Sequence, residues 1–130
     1  MPVFLGAKLM AHNRQEAEEK GRLAEIMALS LLRAKGYRLL ARRYKSPAGE
    51  VDLIMRRGDV TAFIEVKARA THDEAIASVT TTQSRRIAAA ASHWMTQDSA
   101  ANNGPCRFDI VAVNSTLIPS HIENAFDGAY

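Results

Sequence analysis

A single cysteine, Cys106, stands among 130 residues. That excludes an intrachain disulfide framework and a zinc site built on cysteines. Cysteine-poor chains of this kind fit a reducing compartment, so a cytoplasmic location is expected. Aromatic residues make up only 6%, which argues against a single-strand binder that stacks bases on exposed rings. No apolar run is long enough for a signal peptide or a membrane span: the run over residues 1–5 is short, and Lys8 follows soon. No membrane partner is therefore expected. The four histidines, His12, His72, His93 and His121, share no metal-ligand spacing. Excess charge of one sign is also slight. The formal net charge of +3, from 17 Lys plus Arg against 14 Asp plus Glu, is too small to indicate nucleic acid by itself. What the chain does have is core material, at 47% hydrophobic and 24% charged, enough for one domain.

Residues 1–15 lack clear periodicity and are expected to form a flexible N-terminal segment ahead of a single domain over 16–130. A helix is expected over residues 16–35, stopped by Gly36. A strand with a basic face follows over 37–44, then a turn at Ser46-Pro47-Ala48-Gly49. Two further strands, over 50–56 and 60–68, flank a tight connection at Arg57-Gly58-Asp59. Residues 71–78 read as a loop or a short helical turn. A second helix is expected over 83–95, with the Ala-rich stretch 88–91 at its centre. A last strand is expected over 107–113. The order helix, three strands, helix, strand defines an α/β domain with a small mixed sheet flanked by helices.

Period-two alternation places Glu50 and Asp52 on one face of their strand, with Val51, Leu53 and Met55 on the other. It likewise places Glu65 with Lys67. A two-residue hairpin loop fixes the register. A loop at Arg57-Gly58 sets Glu50 opposite Glu65, and a loop at Gly58-Asp59 sets Asp52 opposite Glu65. Either brings Asp52, Glu65 and Lys67 together. Facing carboxylates repel, and a divalent cation offsets that repulsion. Mg²⁺ favours hard oxygen ligands, commonly one or two carboxylates with waters and phosphate oxygens. Lys67 is suited to orient a water or to stabilise negative charge on a phosphate. These are parts for metal-assisted phosphodiester hydrolysis. The same pattern also suits the solvated face of an antiparallel hairpin.

The first helix carries one charge, Glu25, within the apolar stretch 23–32. A stretch apolar nearly all round is expected to be buried, and a buried carboxylate needs a cation, a metal or a guanidinium. Asp109, in the last strand, suits either support of the site or a salt bridge with an arginine such as Arg107.

Together, Gly21, Glu25, Gly36-Tyr37-Arg38-Leu39-Leu40, Gly49-Glu50-Val51-Asp52-Leu53-Ile54, Phe63-Ile64-Glu65-Val66-Lys67-Ala68-Arg69, Arg107-Phe108-Asp109-Ile110-Val111 and Asn124-Ala125-Phe126 resemble the YraN family of small bacterial proteins over about residues 20–126. That family looks like a branch of the restriction-endonuclease-like superfamily with its PD-(D/E)XK signature, and is similar to archaeal Holliday-junction resolvases. The resemblance implies an αβββαβ core. It carries the signature Asp onto Asp52 and the (D/E)XK segment onto Glu65-Val66-Lys67. Asp52 and Glu65 would then be Mg²⁺ (or Mn²⁺) ligands, with Glu25 completing or supporting the site and Lys67 acting on the nucleophilic water or scissile phosphate. Glu50 falls in the family's Gly-Glu-x-Asp motif. Relatives often carry Lys where this chain has Gln83, a residue still able to contact phosphate or water. The loop after Arg69 lacks the Gly-Pro pattern common in relatives.

Arg38, Arg42, Arg43 and Lys45 lie in a stretch with no acidic residue, and Arg69, Arg85 and Arg86 add charge near the expected site. These suit a DNA backbone, and the absence of base-reading motifs points to shape or backbone recognition. Arg42 and Arg43, adjacent on a strand, are expected to point to opposite faces. The expected function is a Mg²⁺-dependent nuclease acting on DNA, including branched or structured DNA. The alternatives are a non-catalytic nucleic-acid-binding module of the same fold and a protein–protein scaffold. A resolvase-like role would favour a homodimer, and for one compact core of this length a protein partner that chooses the substrate is a further expectation.

Overall fold

Helix α1 (Pro2–Ala34) ends where Gly36 adopts φ +91°. There the Gly36 amide donates to the Arg33 carbonyl and the Tyr37 amide to the Leu32 carbonyl, the paired closure of a glycine-terminated helix. The computed structural model describes residues 2–127; Met1 and the last three residues of the expected domain, 128–130, lie outside the described residues. The helix begins at Pro2 rather than near residue 16. Residues 9–23 are exposed all round the helix, so no packed face imposes an apolar period there. The 23–32 stretch is also less enclosed than its composition suggests. Ala24, Glu25, Ala28, Leu29 and Leu32 are buried, whereas Leu23 and Ile26 face solvent because only one layer packs on α1.

Three antiparallel strands follow: β1 (Arg38–Ser46), β2 (Gly49–Arg57) and β3 (Val60–Lys67). The short helix α2 (His72–Ala77), then α3 (Thr81–Met95) and α4 (Ser99–Asn103), carry the chain to β4 (Cys106–Val113), which pairs parallel to β3. Strand β5 (Pro119–Ile122) closes the sheet antiparallel to β4, giving the order β1-β2-β3-β4-β5. The expected helix, three strands, helix and strand are all present in that order. The elements not expected are α4 and β5, each too short to show a period. Among the described residues no helix is long and apolar enough to cross a membrane.

The sheet is covered on both faces. Leu53, Met55, Ile64, Val111 and Val113 pack under α1 against Ala28, Leu29 and Leu32. Ile54 and Phe63 pack against Ile87, Ala90 and Ala91 of α3. Val51 joins this second cluster, not that of Leu53 and Met55. Simple alternation therefore breaks at Asp52, where the facing strand has a left-handed residue, Arg43, at φ 49°.

Helix α3 is started by Thr80, whose side chain accepts from the Gln83 amide. Its second anchor is Gly49. A Cβ on Gly49 would sit 1.8 Å from the Arg86 carbonyl oxygen, so the β1–β2 turn lies directly on the α3 backbone. Gly49→Ala is expected to cost roughly 1–3 kcal/mol through overpacking, read as a lower urea midpoint at unchanged slope.

Candidate functional site

The β2–β3 ladder follows the Gly58-Asp59 loop, with Leu53 opposite Ile64 as the last paired position. Of the two registers open from the sequence, this is the one that sets Asp52 level with Glu65. Beyond that position Asp52 Oδ2 accepts a hydrogen bond from the Val66 amide at 2.8 Å. The carboxylate thus takes the place of a strand carbonyl.

Glu65 is only 6% exposed. Its Oε2 accepts from Gln83 Nε2 at 2.5 Å and lies 3.5 Å from Lys67 Nζ. Lys67 Nζ donates to Gln83 Oε1 at 3.0 Å. The Gln83 amide therefore holds the acid with one end and the amine with the other. Helix α3 places it there through the Thr80 cap.

Burial, then the adjacent Asp52 charge and a hydrogen bond between the two carboxyl groups, push Glu65 up to about 8; Lys67 offsets only part of this. The Glu65 carboxyl therefore keeps its proton to higher pH than an ordinary glutamate. The repulsion expected between facing carboxylates shows in the part that the Asp52 charge plays in raising Glu65.

Glu25 reaches the same end of the sheet but is held otherwise. Its Oε1 accepts from Arg42 Nε and Nη2 at 3.2 and 3.1 Å, and its Oε2 from Arg43 Nε at 3.0 Å. Of the partners open to a buried helical Glu, the structure supplies guanidiniums. Arg42 and Arg43 do not diverge to opposite faces, because the left-handed backbone at Arg43 brings both side chains to one carboxylate. Both keep about half their surface exposed, at 48% and 57%.

A cleft of about 500 Å³ opens between α1 and the strands, lined by Glu18, Arg22, Glu25, Arg43, Asp52 and Val66 among others. Glu18 and Arg22 were not singled out from sequence. Their spacing was a usable signal, since positions 18, 22 and 25 recur on one helix face.

The other candidates are peripheral. Glu50 is exposed and pairs with Arg86 Nη2 at 3.6 Å, and it borders a shallow cavity together with Arg43, Lys45 and Asp52. Arg38, Lys45, Arg69 and Arg85 are exposed. Asp109 lies elsewhere, fully buried in a salt bridge with Arg107 at 2.8 Å. Burial pushes the Cys106 thiol up, as expected of a packing residue rather than a nucleophile.

The donor set at Asp52 and Glu65 is hard oxygen, which fits Mg²⁺ or Mn²⁺. Among the described residues no group of three or more His, Cys, Asp or Glu forms a ready metal cluster. Two carboxylates would need waters or phosphate oxygens to complete a coordination sphere, which is the habit of Mg²⁺.

A five-stranded mixed sheet between helices defines an α/β protein whose element order is consistent with a nuclease-like core. Residues 24–113 match the family described as Uncharacterised protein family UPF0102. A UPF0102 protein of Chelativorans sp. (strain BNC1) is 47% identical over 114 residues, covering 88% of this chain and 92% of the relative. One from Maricaulis maris (strain MCS10) is 46% identical over 112 residues, covering 86% and 88%. One from Rhodopseudomonas palustris (strain HaA2) is 44% identical over 119 residues, covering 92% and 93%. The chain belongs to UPF0102, the YraN family.

Proposed function

We propose that this chain is a Mg²⁺- or Mn²⁺-dependent nuclease that hydrolyses phosphodiester bonds of DNA, with branched or structured DNA as the substrate class. The observation that carries this is the geometry of Asp52, which takes the Val66 amide at 2.8 Å and stands level with the buried Glu65, with Lys67 Nζ 3.5 Å from Glu65. Asp52 and Glu65 would hold the cation, which when bound supplies Lewis acidity and a more acidic water. Lys67, 3.5 Å from Glu65, is placed to stabilise negative charge on a phosphate or to orient the attacking water. Gln83 fixes both groups through its amide. Glu25 orients Arg42 and Arg43, leaving their outer surfaces for phosphate contact.

A second reading is a nucleic-acid-binding module without cleavage. It is favoured by the commitment of Glu25 to two guanidiniums, which leaves two carboxylates at the site.

Two measurements separate these readings. Calorimetry with Mg²⁺ and Mn²⁺, with and without DNA, should show binding that disappears in Asp52→Ala. No metal binding in either condition sinks the nuclease reading. A single-turnover panel of linear, flap and junction DNA should give product with wild type and none with Glu65→Ala. DNA binding without product leaves the binding module standing, and failure of both binding and cleavage leaves a protein-interaction scaffold.

A further inference from the structure

Beside the carboxylate cleft lies a second, smaller pocket of about 140 Å³, lined by Lys20, Arg69, Asn114 and Ser115 together with small apolar residues. Ala24 and Ala68 line both cavities, so the two adjoin across the seam between α1 and the end of β3. Their charge differs. The larger cleft mixes Glu18, Glu25 and Asp52 with Arg22 and Arg43. The smaller has two cations and no carboxylate in its lining.

These cations are not used by the fold. Among the described residues Lys20 makes no ion pair, and the Arg69 guanidinium donates only to the Ala68 carbonyl, at 2.9 Å. Asn114 Oδ1 already accepts from the Thr116 and Ile118 amides, each at 3.0 Å, and from Thr116 Oγ1. Its Nδ2 is left as the donor, on a loop that those bonds brace. Lys20 also borders a separate cavity with Glu16 and Glu19 but pairs with neither, and two cations without an ion pair in one concavity repel each other and attract an anion. The volume is well under the roughly 300 Å³ at which pockets begin to enclose whole small molecules, so the fitting ligand is a small anionic group rather than a nucleotide.

We propose that this pocket is a phosphate subsite: Lys20 and Arg69 hold a phosphate group of a nucleic-acid strand that also crosses the carboxylate cleft. The proposal rests on the nucleic-acid reading above and adds a residue, Lys20, on the exposed part of α1. It also gives that part of the helix a task. The phosphate is either an internal phosphodiester or a terminal phosphomonoester, which share the chemistry recognised here.

The test is fluorescence anisotropy of labelled DNA duplexes with single-stranded overhangs, titrated in EDTA across a salt series so that cleavage plays no part. Wild type is compared with the double variant Lys20→Gln/Arg69→Gln and with Arg33→Gln, a charge loss at the far end of α1. The double variant should bind roughly tenfold more weakly, with the slope of log K against log salt smaller by about 1–2, while Arg33→Gln stays near wild type. Circular dichroism melts confirm that both variants fold. Each duplex is used with a 5′-phosphate and with a 5′-hydroxyl. A preference for the phosphate that vanishes in the double variant identifies a terminal group, and equal losses on both identify an internal one. An unchanged slope in the double variant, with wild type binding, overturns the subsite alone. An equal loss in Arg33→Gln overturns it as well. No DNA binding by wild type overturns the nucleic-acid reading together with the subsite.

Discussion

Asp109→Ala is expected to lower the unfolding free energy by about 3–5 kcal/mol, the cost of stranding a buried charge by removing its partner. Against a typical total of about 5–15 kcal/mol that is a large loss. Asp109 is fully buried on β4. It accepts from Arg107 Nε and Nη2 at 2.8 and 2.9 Å, and from the Asn124 amide at 2.9 Å; His121 Nε2 lies 2.8 Å away. Arg107 continues to the Tyr37 hydroxyl at 2.5 Å. One carboxylate therefore ties β4 to β5, to the chain after it and to the segment leaving α1. Burial alone would raise this carboxyl, but hydrogen bonds from His121, Arg107 and Asn124 hold it below its ordinary 3.8. The sign follows from that depression. The stabilisation is complete above pH 3.8 and is lost as pH falls through the lower folded value. Urea titrations at pH 7 should show the full deficit in Asp109→Ala. The gap to wild type should narrow only in strong acid. A variant within 1 kcal/mol of wild type at pH 7 would mean that the knot is not a main support.

Glu65→Gln should act in the opposite direction. Folding raises the Glu65 carboxyl from 4.5 to about 8, so the folded state binds the extra proton between those values. Stability attributable to this group is greatest below pH 4.5 and falls as pH rises through 8. Calorimetric scans of the metal-free protein in EDTA should show Tm declining across that window in wild type and a flatter profile in Glu65→Gln. The variant should be more stable by roughly 5–10 °C at pH 8.5. Parallel profiles would rule out a Glu65 carboxyl raised by folding. If Asp52 and Glu65 hold Mg²⁺ as proposed, binding would favour their deprotonated forms, and the wild-type decline with pH should level out when the ion is added.

Much of this was open to sequence reading because period-two patterning and turn length are local properties. The Gly58-Asp59 loop is one of two registers that the hairpin sequence allowed, and it puts Asp52 level with Glu65. Gly36 marked the end of α1 because a left-handed stop suits glycine. The misreadings occurred where non-local contacts override a local period. Arg43 leaves the strand conformation, so it joins Arg42 at Glu25 instead of turning away. Val51 changes faces where β2, still paired to β1, has lost its pairing with β3 beyond Leu53. The start of α1 was invisible because a helix exposed all round has no apolar stripe. Gln83 was noticed only as a departure from relatives. Its bridging of Glu65 and Lys67 depends on how α3 lies across the sheet, which no spacing along the chain encodes.

The hydrogen bond from the Val66 amide to Asp52 has a consequence for how any ligand must meet this protein. A side chain that stands in for a rung of the ladder inherits the stiffness of the sheet, and it cannot swing toward a ligand without breaking a strand contact. Glu65, clasped by Gln83 and lying on the next strand, is equally restrained. Adaptation at this site falls to the ligand. For the nucleic acid proposed as ligand, a supple strand, a frayed end or a branch point would bend to meet fixed oxygens, whereas an unbroken stiff duplex would have to be deformed to do so. Selectivity of this kind arises from the mechanics of the molecule that is bound.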